Sequence, residues 1–309
     1  MSTWLRTTLL IVLVTLPTAI AIQTGHAPFG RYLALGTVLS LQMCLMARPV
    51  APVALLLPFV YAAAALTAGA SEGVAALIVA VAAGVGAASS RGFHRGFLTL
   101  LAAALIGSFE PAKGAELLDR AGPMLLGCVY GYAIAVLLLA RIEPHGRAVT
   151  AQTALSYSVL MAVLVLLAWL TARTAGLAQG WWLPLAVAAV GEPSVVGSSR
   201  AAVGRVALSL AGVWVCVLLA AMLAGPSLRL GAAALLLVPL LSAGSERPAL
   251  QSFALTPIAL LLVGDAIPGG PGGDYFNTTL LSCVLVFVVA ILGKWMLWTL
   301  RPDAGHARA

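Results

Sequence analysis

Charge is what this 309-residue sequence lacks most: Asp, Glu, Lys and Arg together make up 9% of it, against 61% hydrophobic residues and a mean hydropathy of +1.05. Soluble domains carry roughly 25% charged residues. So few polar groups cannot cover a water-facing surface, which excludes a soluble globular body and implies a polytopic membrane protein. Cysteine is equally scarce. Cys44, Cys128, Cys216 and Cys283 lie inside apolar runs with no CxxC spacing, which argues against a disulfide framework or a zinc site and for small buried hydrophobes. His26, His94, His145 and His306 stand alone in expected loops or in the tail, so no metal site is expected. No GxxxxGK[ST] sequence is present, which speaks against ATP hydrolysis, and no cofactor is expected. An enzyme would cluster His, Asp or Glu at one membrane face. The only acidic cluster, Glu110 to Asp119, is mixed with Lys113 and Arg120 and reads as a solvated turn. The net charge of +7 does not indicate nucleic acid, because the basic residues occur singly between apolar runs, where they report topology.

What the sequence does have is apolar runs. Twelve are expected to be helices, near 5–22, 31–46, 50–68, 73–88, 96–109, 123–140, 154–172, 181–196, 205–224, 230–243, 250–264 and 278–299. The fold class is therefore all-α, with about 12 transmembrane helices. Several runs fall short of the roughly 20 residues of a full span, notably 96–109, 230–243 and 250–264. Arg6, an apolar run and Ala19-Ile20-Ala21 resemble a cleavable signal, but internal repetition argues for a retained helix. With the N-terminus inside, eleven arginines from Arg6 to Arg308 fall on the cytoplasmic side. Arg31, Lys113, Arg120, Arg173 and Arg229 fall outside with most of the acids. That bias favours a bacterial inner-membrane protein with both termini cytoplasmic.

Sliding the sequence by about 156 positions superposes Gln23 on Gln179, Pro28 on Pro184, Ala68-Gly69 on Ala224-Gly225, Arg91 on Arg247 and Phe97 on Phe253. The common offset suggests two parallel six-helix repeats related by an axis along the membrane normal. The expected divisions are a first repeat at 1–143, a cytoplasmic linker at 144–153, a second repeat at 154–300 and a cytoplasmic tail at 301–309. The interface between halves is the natural place for a substrate path.

The stretch QGWWLPLAVAAVGEPSVVGSSRAAVGR, residues 179–205, joins Gly180, Trp181, Trp182, Pro184 and Leu185 to Glu192, Pro193, Arg200, Ala201 and Arg205. With FALTPIALLLVGD at 253–265, it resembles the fusaric acid resistance-like clan of aromatic acid exporters, to which plant aluminium-activated malate transporters are more distantly similar. LGTVLSLQMCLMARPVAP, residues 35–52, looks like a diverged first copy without the paired tryptophans. The resemblance implies a transporter exporting small organic anions, aromatic carboxylates among them. It also implies a periplasmic membrane-fusion adaptor as partner. The chain departs from larger exporters of the clan in having only a short linker and tail where they carry a sizeable cytoplasmic domain. A homo-oligomer is compatible with this reading, as are an organic-anion channel and a noncatalytic membrane subunit of an efflux assembly.

The residues expected to bind substrate are Arg91, Arg95, Trp182, Glu192, Arg200, Arg205, Arg247 and Gln251. Arg91 and Arg95 lie one turn apart, and a guanidinium holds a carboxylate in a two-point fork. Arg247 is the repeat mate of Arg91. Arg200 and Arg205, about 140° apart on an ideal helix, share an entrance only if the helix start is bent; otherwise they anchor a helix end at the headgroups. Glu192 closes a short apolar run before a proline and is placed to pair with an arginine or to carry a proton. Trp182 stands either in the interfacial belt or at the external mouth. Gln251 is a polar group within an apolar segment, suited to a substrate or to a neighbouring helix.

Overall fold

A computed structural model describes residues 3–46, 48–89, 94–139, 151–177 and 180–190, with isolated helical positions between 207 and 236. All elements among the described residues are helical: α1 (Thr3–Gln23), α2 (Ala27–Met46), a 3-10 segment (Arg48–Leu56) continuing into α3 (Leu57–Ala68), α4 (Glu72–Ser89), α5 (His94–Phe109), α6 (Ala115–Leu139), α7 (Ala151–Thr174) and α8 (Trp182–Val190). The first seven expected helices are present in order, and the eighth starts within a residue of its expected position. The later spans, the tail and most of the linker lie outside the described residues, and with them the expected total of twelve.

Burial explains why the apolar runs differ in length. Every residue of α5 from Leu101 to Ser108 is buried, so α5 is the centre of the bundle. Its 16 residues rise about 24 Å, less than the roughly 30 Å of hydrocarbon. A helix enclosed by protein has no need to match lipid thickness. The peripheral helices instead carry outward apolar stripes. These are Leu9, Val12, Leu16 and Ile20 on α1, Val74, Leu77, Val81 and Val85 on α4, and Leu155, Val159, Val163, Leu167 and Leu170 on α7. Each stripe returns every three or four residues and so occupies one helix face. In water such faces would be large exposed patches; in a bilayer they are the favoured surface. The spans Ala115–Leu138 and Tyr157–Thr174 are each long and apolar enough to cross a membrane.

Without water, backbone and hydroxyl groups must be satisfied internally. Pro17 inside α1 cannot donate to the Leu13 carbonyl, and the Tyr130 hydroxyl of α6 donates to that oxygen instead, at 2.7 Å. Thr15, Thr37, Thr67, Thr171 and Thr174 each bond to the carbonyl four residues back, so their hydroxyls are absorbed within their own helices.

The tightest contact joins α2 to α6. A Cβ at Gly36 would collide with the Met124 carbonyl oxygen, and one at Gly127 with the Leu33 carbonyl oxygen. Gly131 lies against the Thr37 backbone, slightly less tightly, and Ser40 Oγ donates to the Cys128 carbonyl at 2.9 Å. The sequence GCVYG, Gly127 to Gly131, is a small-xxx-small motif that lets two backbones meet. Cys128 is buried there and Cys44 is partly buried, both as free thiols, as their apolar surroundings suggest; Cys216 and Cys283 lie outside the described residues.

Helices α4 and α7 pack against each other. Gly84 faces Ser158 and Ala162, and Ser158 donates to the Gly84 carbonyl. Ala83, Ala87, Met161 and Val165 are buried beside them. This part of the seam is filled by small side chains. α1 and α7 end alike: Gly25 and Gly176, 151 positions apart, adopt φ values of 83° and 61°. His26 then donates to Ala21 O and Leu177 to Ala172 O, the six-residue closure of a Schellman motif. The following helices start 155 positions apart, at Ala27 and Trp182. The separation between these paired features thus changes from 151 to 155 positions, because the α7–α8 connection is longer than the α1–α2 one, and neither value equals 156.

Candidate functional site

The turns 24–26, 69–71 and 110–114 and the 175–181 connection gather at one end of the bundle; Gly69 lies against the Lys113 side chain and Gly180 against the Phe109 ring. In residues 1–177, this end holds Arg31, Lys113, Arg120 and Arg173 alongside Glu72, Glu110, Glu116 and Asp119. The opposite helix ends begin with Arg6 on α1, Arg48 on the 3-10 segment and Arg95 on α5. In the sequence, the α4–α5 and α6–α7 connections, outside the described residues, contain Arg91, Arg141 and Arg147, with Glu143 as the acid. One end is electrically balanced and the other is cationic.

At the balanced end, two arginine–carboxylate clusters join different helices. The first is built on Glu110, one residue past the end of α5. Arg31 Nη2 donates to its Oε1 at 3.1 Å and the Tyr32 hydroxyl to its Oε2 at 2.7 Å, while Arg120 Nη1 donates to its backbone carbonyl at 3.3 Å. Arg120 also pairs with Glu116 one turn back on α6. The Arg31 and Arg120 guanidiniums lie 5.8 and 6.0 Å from the Tyr32 ring, and Tyr32 tilts against Tyr61 at 5.9 Å. Tyr61 is fully buried, and its hydroxyl stands among Tyr32, Glu110 and Arg120 without a well-formed hydrogen bond. The acids of this region are thus more than a solvated turn: Glu110 ties α2, α5 and α6 together.

The second cluster is built on Arg173, in the last turn of α7. Its guanidinium lies 5.4 Å from the Phe109 ring and 5.5 Å from the Trp169 ring. Those rings meet edge to face at 6.1 Å. Trp169 is itself fixed, since its Nε1 donates to Ser108 Oγ at 3.0 Å and Ser108 donates to Leu105 O at 2.8 Å. Arg173 Nη2 reaches Glu72 Oε1 at 3.1 Å, across from α7 to the first turn of α4. Its Nε is buried and makes no hydrogen bond. The Glu72 side chain is 72% exposed, against 20% for Glu110.

Of the residues singled out from sequence, Trp182 is described fully. At 8% exposure it opens α8, with its ring edge-to-face against Trp181 at 5.4 Å. It faces protein and not the headgroups of an interfacial belt. Arg95 lies in the first turn of α5 at the cationic end. Arg91, Glu192, Arg200, Arg205, Arg247 and Gln251 lie outside the described residues. The Glu110 and Arg173 clusters were not anticipated. Trp169 and Arg173, spaced one helical turn apart at a helix end, are the sequence signal that could have revealed the second. Among the described residues no group of His, Cys, Asp or Glu is arranged to hold a metal ion.

Residues 163–292 match the family model described as Fusaric acid resistance protein-like. The family is one of membrane transport and efflux. The match begins within α7 and takes in Trp169, Arg173 and α8. No curated protein and no solved structure matches the chain.

Proposed function

We propose that this fusaric acid resistance-like chain is an inner-membrane carrier that exports small organic anions, aromatic carboxylates in particular. Both termini lie in the cytoplasm, and two six-helix repeats are related by an axis along the bilayer normal. The observation that carries this reading is the transport-family match over residues 163–292. The charge asymmetry supports the orientation, because the cationic end belongs inside by the positive-inside rule. A cationic mouth also raises the local concentration of an anion before it enters. Arg91, Arg95, Arg200, Arg205 and Arg247 form that entrance, and Glu192, Trp182 and Gln251 lie along the path. A periplasmic adaptor takes up the exported acid on the far side. The α4–α7 seam is packed shut along its described length, so substrate passage requires the halves to part there or to run a path beside α8.

Proteoliposomes containing the purified chain and loaded with radiolabelled benzoate, salicylate or a short aliphatic acid test this reading. Efflux above the leak of protein-free vesicles is expected, slowed in Arg200→Ala and Glu192→Gln. Efflux equal to that leak for every carboxylate would overturn it.

A further inference from the structure

The geometry points to a carboxylate-binding subsite on Arg173 at the balanced end of the bundle, with Glu72 standing in for the ligand. This rests on the organic-anion reading above and gives it a site away from the cationic entrance.

Three observations carry it. First, the guanidinium is preorganised: Phe109 and Trp169 hold it at 5.4 and 5.5 Å, and Trp169 is fixed by Ser108. A guanidinium locked by rings loses little rotamer entropy when an anion docks. Second, its binding capacity is half used. Glu72 takes Nη2, whereas Nε is buried with no acceptor. Arginine recognises carboxylates best through two parallel N–H donors, and an incoming carboxylate that takes Nε as well as Nη2 satisfies a donor that Glu72 leaves unsatisfied. Third, the occupant is exchangeable. The Glu72 side chain is 72% exposed at the start of α4, and an ion pair of that kind holds weakly against solvent and competing anions. Glu110, by contrast, is 20% exposed and has both oxygens engaged by Arg31 and Tyr32, which leaves no vacancy for a ligand. The ligand is therefore a small organic carboxylate arriving from solvent, with Glu72 swinging away as it binds. In the proposed orientation this is the exit side, where a released acid makes its last protein contact.

Calorimetric titration of the full chain in detergent with benzoate tests the assignment. Glu72→Gln removes the competitor and should tighten benzoate binding about three- to fivefold. Arg173→Gln should weaken it by about tenfold or more, and Arg173→Lys, which keeps the charge without the fork, should fall between. A purely structural ion pair predicts the opposite sign for Glu72→Gln, so unchanged or weaker binding in that variant overturns the subsite. So does wild-type affinity in both Arg173 variants. Failed benzoate efflux from vesicles with intact, Arg173-dependent binding would sink the transport reading and leave the subsite standing. Intact efflux with Arg173-independent binding would do the reverse.

Discussion

The Glu110 and Arg173 clusters use the same chemistry at the same end of the bundle, yet they are built for different ends. Both set an arginine over aromatic rings and pair it with a glutamate on another helix. Around Glu110 both carboxylate oxygens, the backbone carbonyl and two guanidiniums are engaged, and the group lies inside the junction of α2, α5 and α6. Around Arg173 the glutamate partner faces solvent. A shielded carboxylate with both oxygens engaged marks a structural tie, and an exposed one marks a place where something else can bind. Residue type alone does not separate the two; enclosure does.

The comparison can be broken most severely from a distance. Gly127→Leu forces α6 away from α2, because the Leu33 carbonyl already occupies the space a side chain needs. A loss of about 3 kcal/mol or more is expected, read as a collapse of thermal stability in detergent; near-native stability would mean the α2–α6 seam is looser than described. Glu110→Gln removes the charge from a partly buried pair and should cost about 2 kcal/mol, measured in the same way. Tyr130→Phe leaves the Leu13 carbonyl without its donor beside Pro17 and should cost about 1 kcal/mol. At the bottom of the scale, Glu72→Gln should change stability by less than about 0.5 kcal/mol, with a difference that shrinks as salt is raised. A penalty as large as that of Glu110→Gln would erase the distinction between the clusters.

Much of the bundle was legible in the sequence because each apolar run in the first half needs one span. The expected segments 73–88 and 96–109 became α4 (Glu72–Ser89) and α5 (His94–Phe109). The shortness of α5 was visible from composition, but its central position was not, since burial by protein and burial by lipid select the same residues. The GCVYG motif of α6 was readable as a close-packing signal. A single sequence offset does not describe the helix pairs: Gly25 and Gly176 close α1 and α7 alike, but unequal turns shift the separation from 151 to 155 between adjacent helices. The sites were less legible. Arg31 and Arg173 read as topology markers, because nothing in a linear sequence places Glu110 79 positions from Arg31 or Glu72 across the bundle from Arg173. Trp182 fits an interfacial belt by composition, yet Trp181 and the surrounding core enclose it.

The distinction between a closed tie and an open subsite is read most directly by NMR of the chain labelled with 15N-arginine, following the side-chain Nε–Hε signals as benzoate is added. The account predicts that the Arg173 resonance shifts saturably, while those of Arg31 and Arg120 hold still. A static Arg173 signal, or equal shifts at all three arginines, would contradict it.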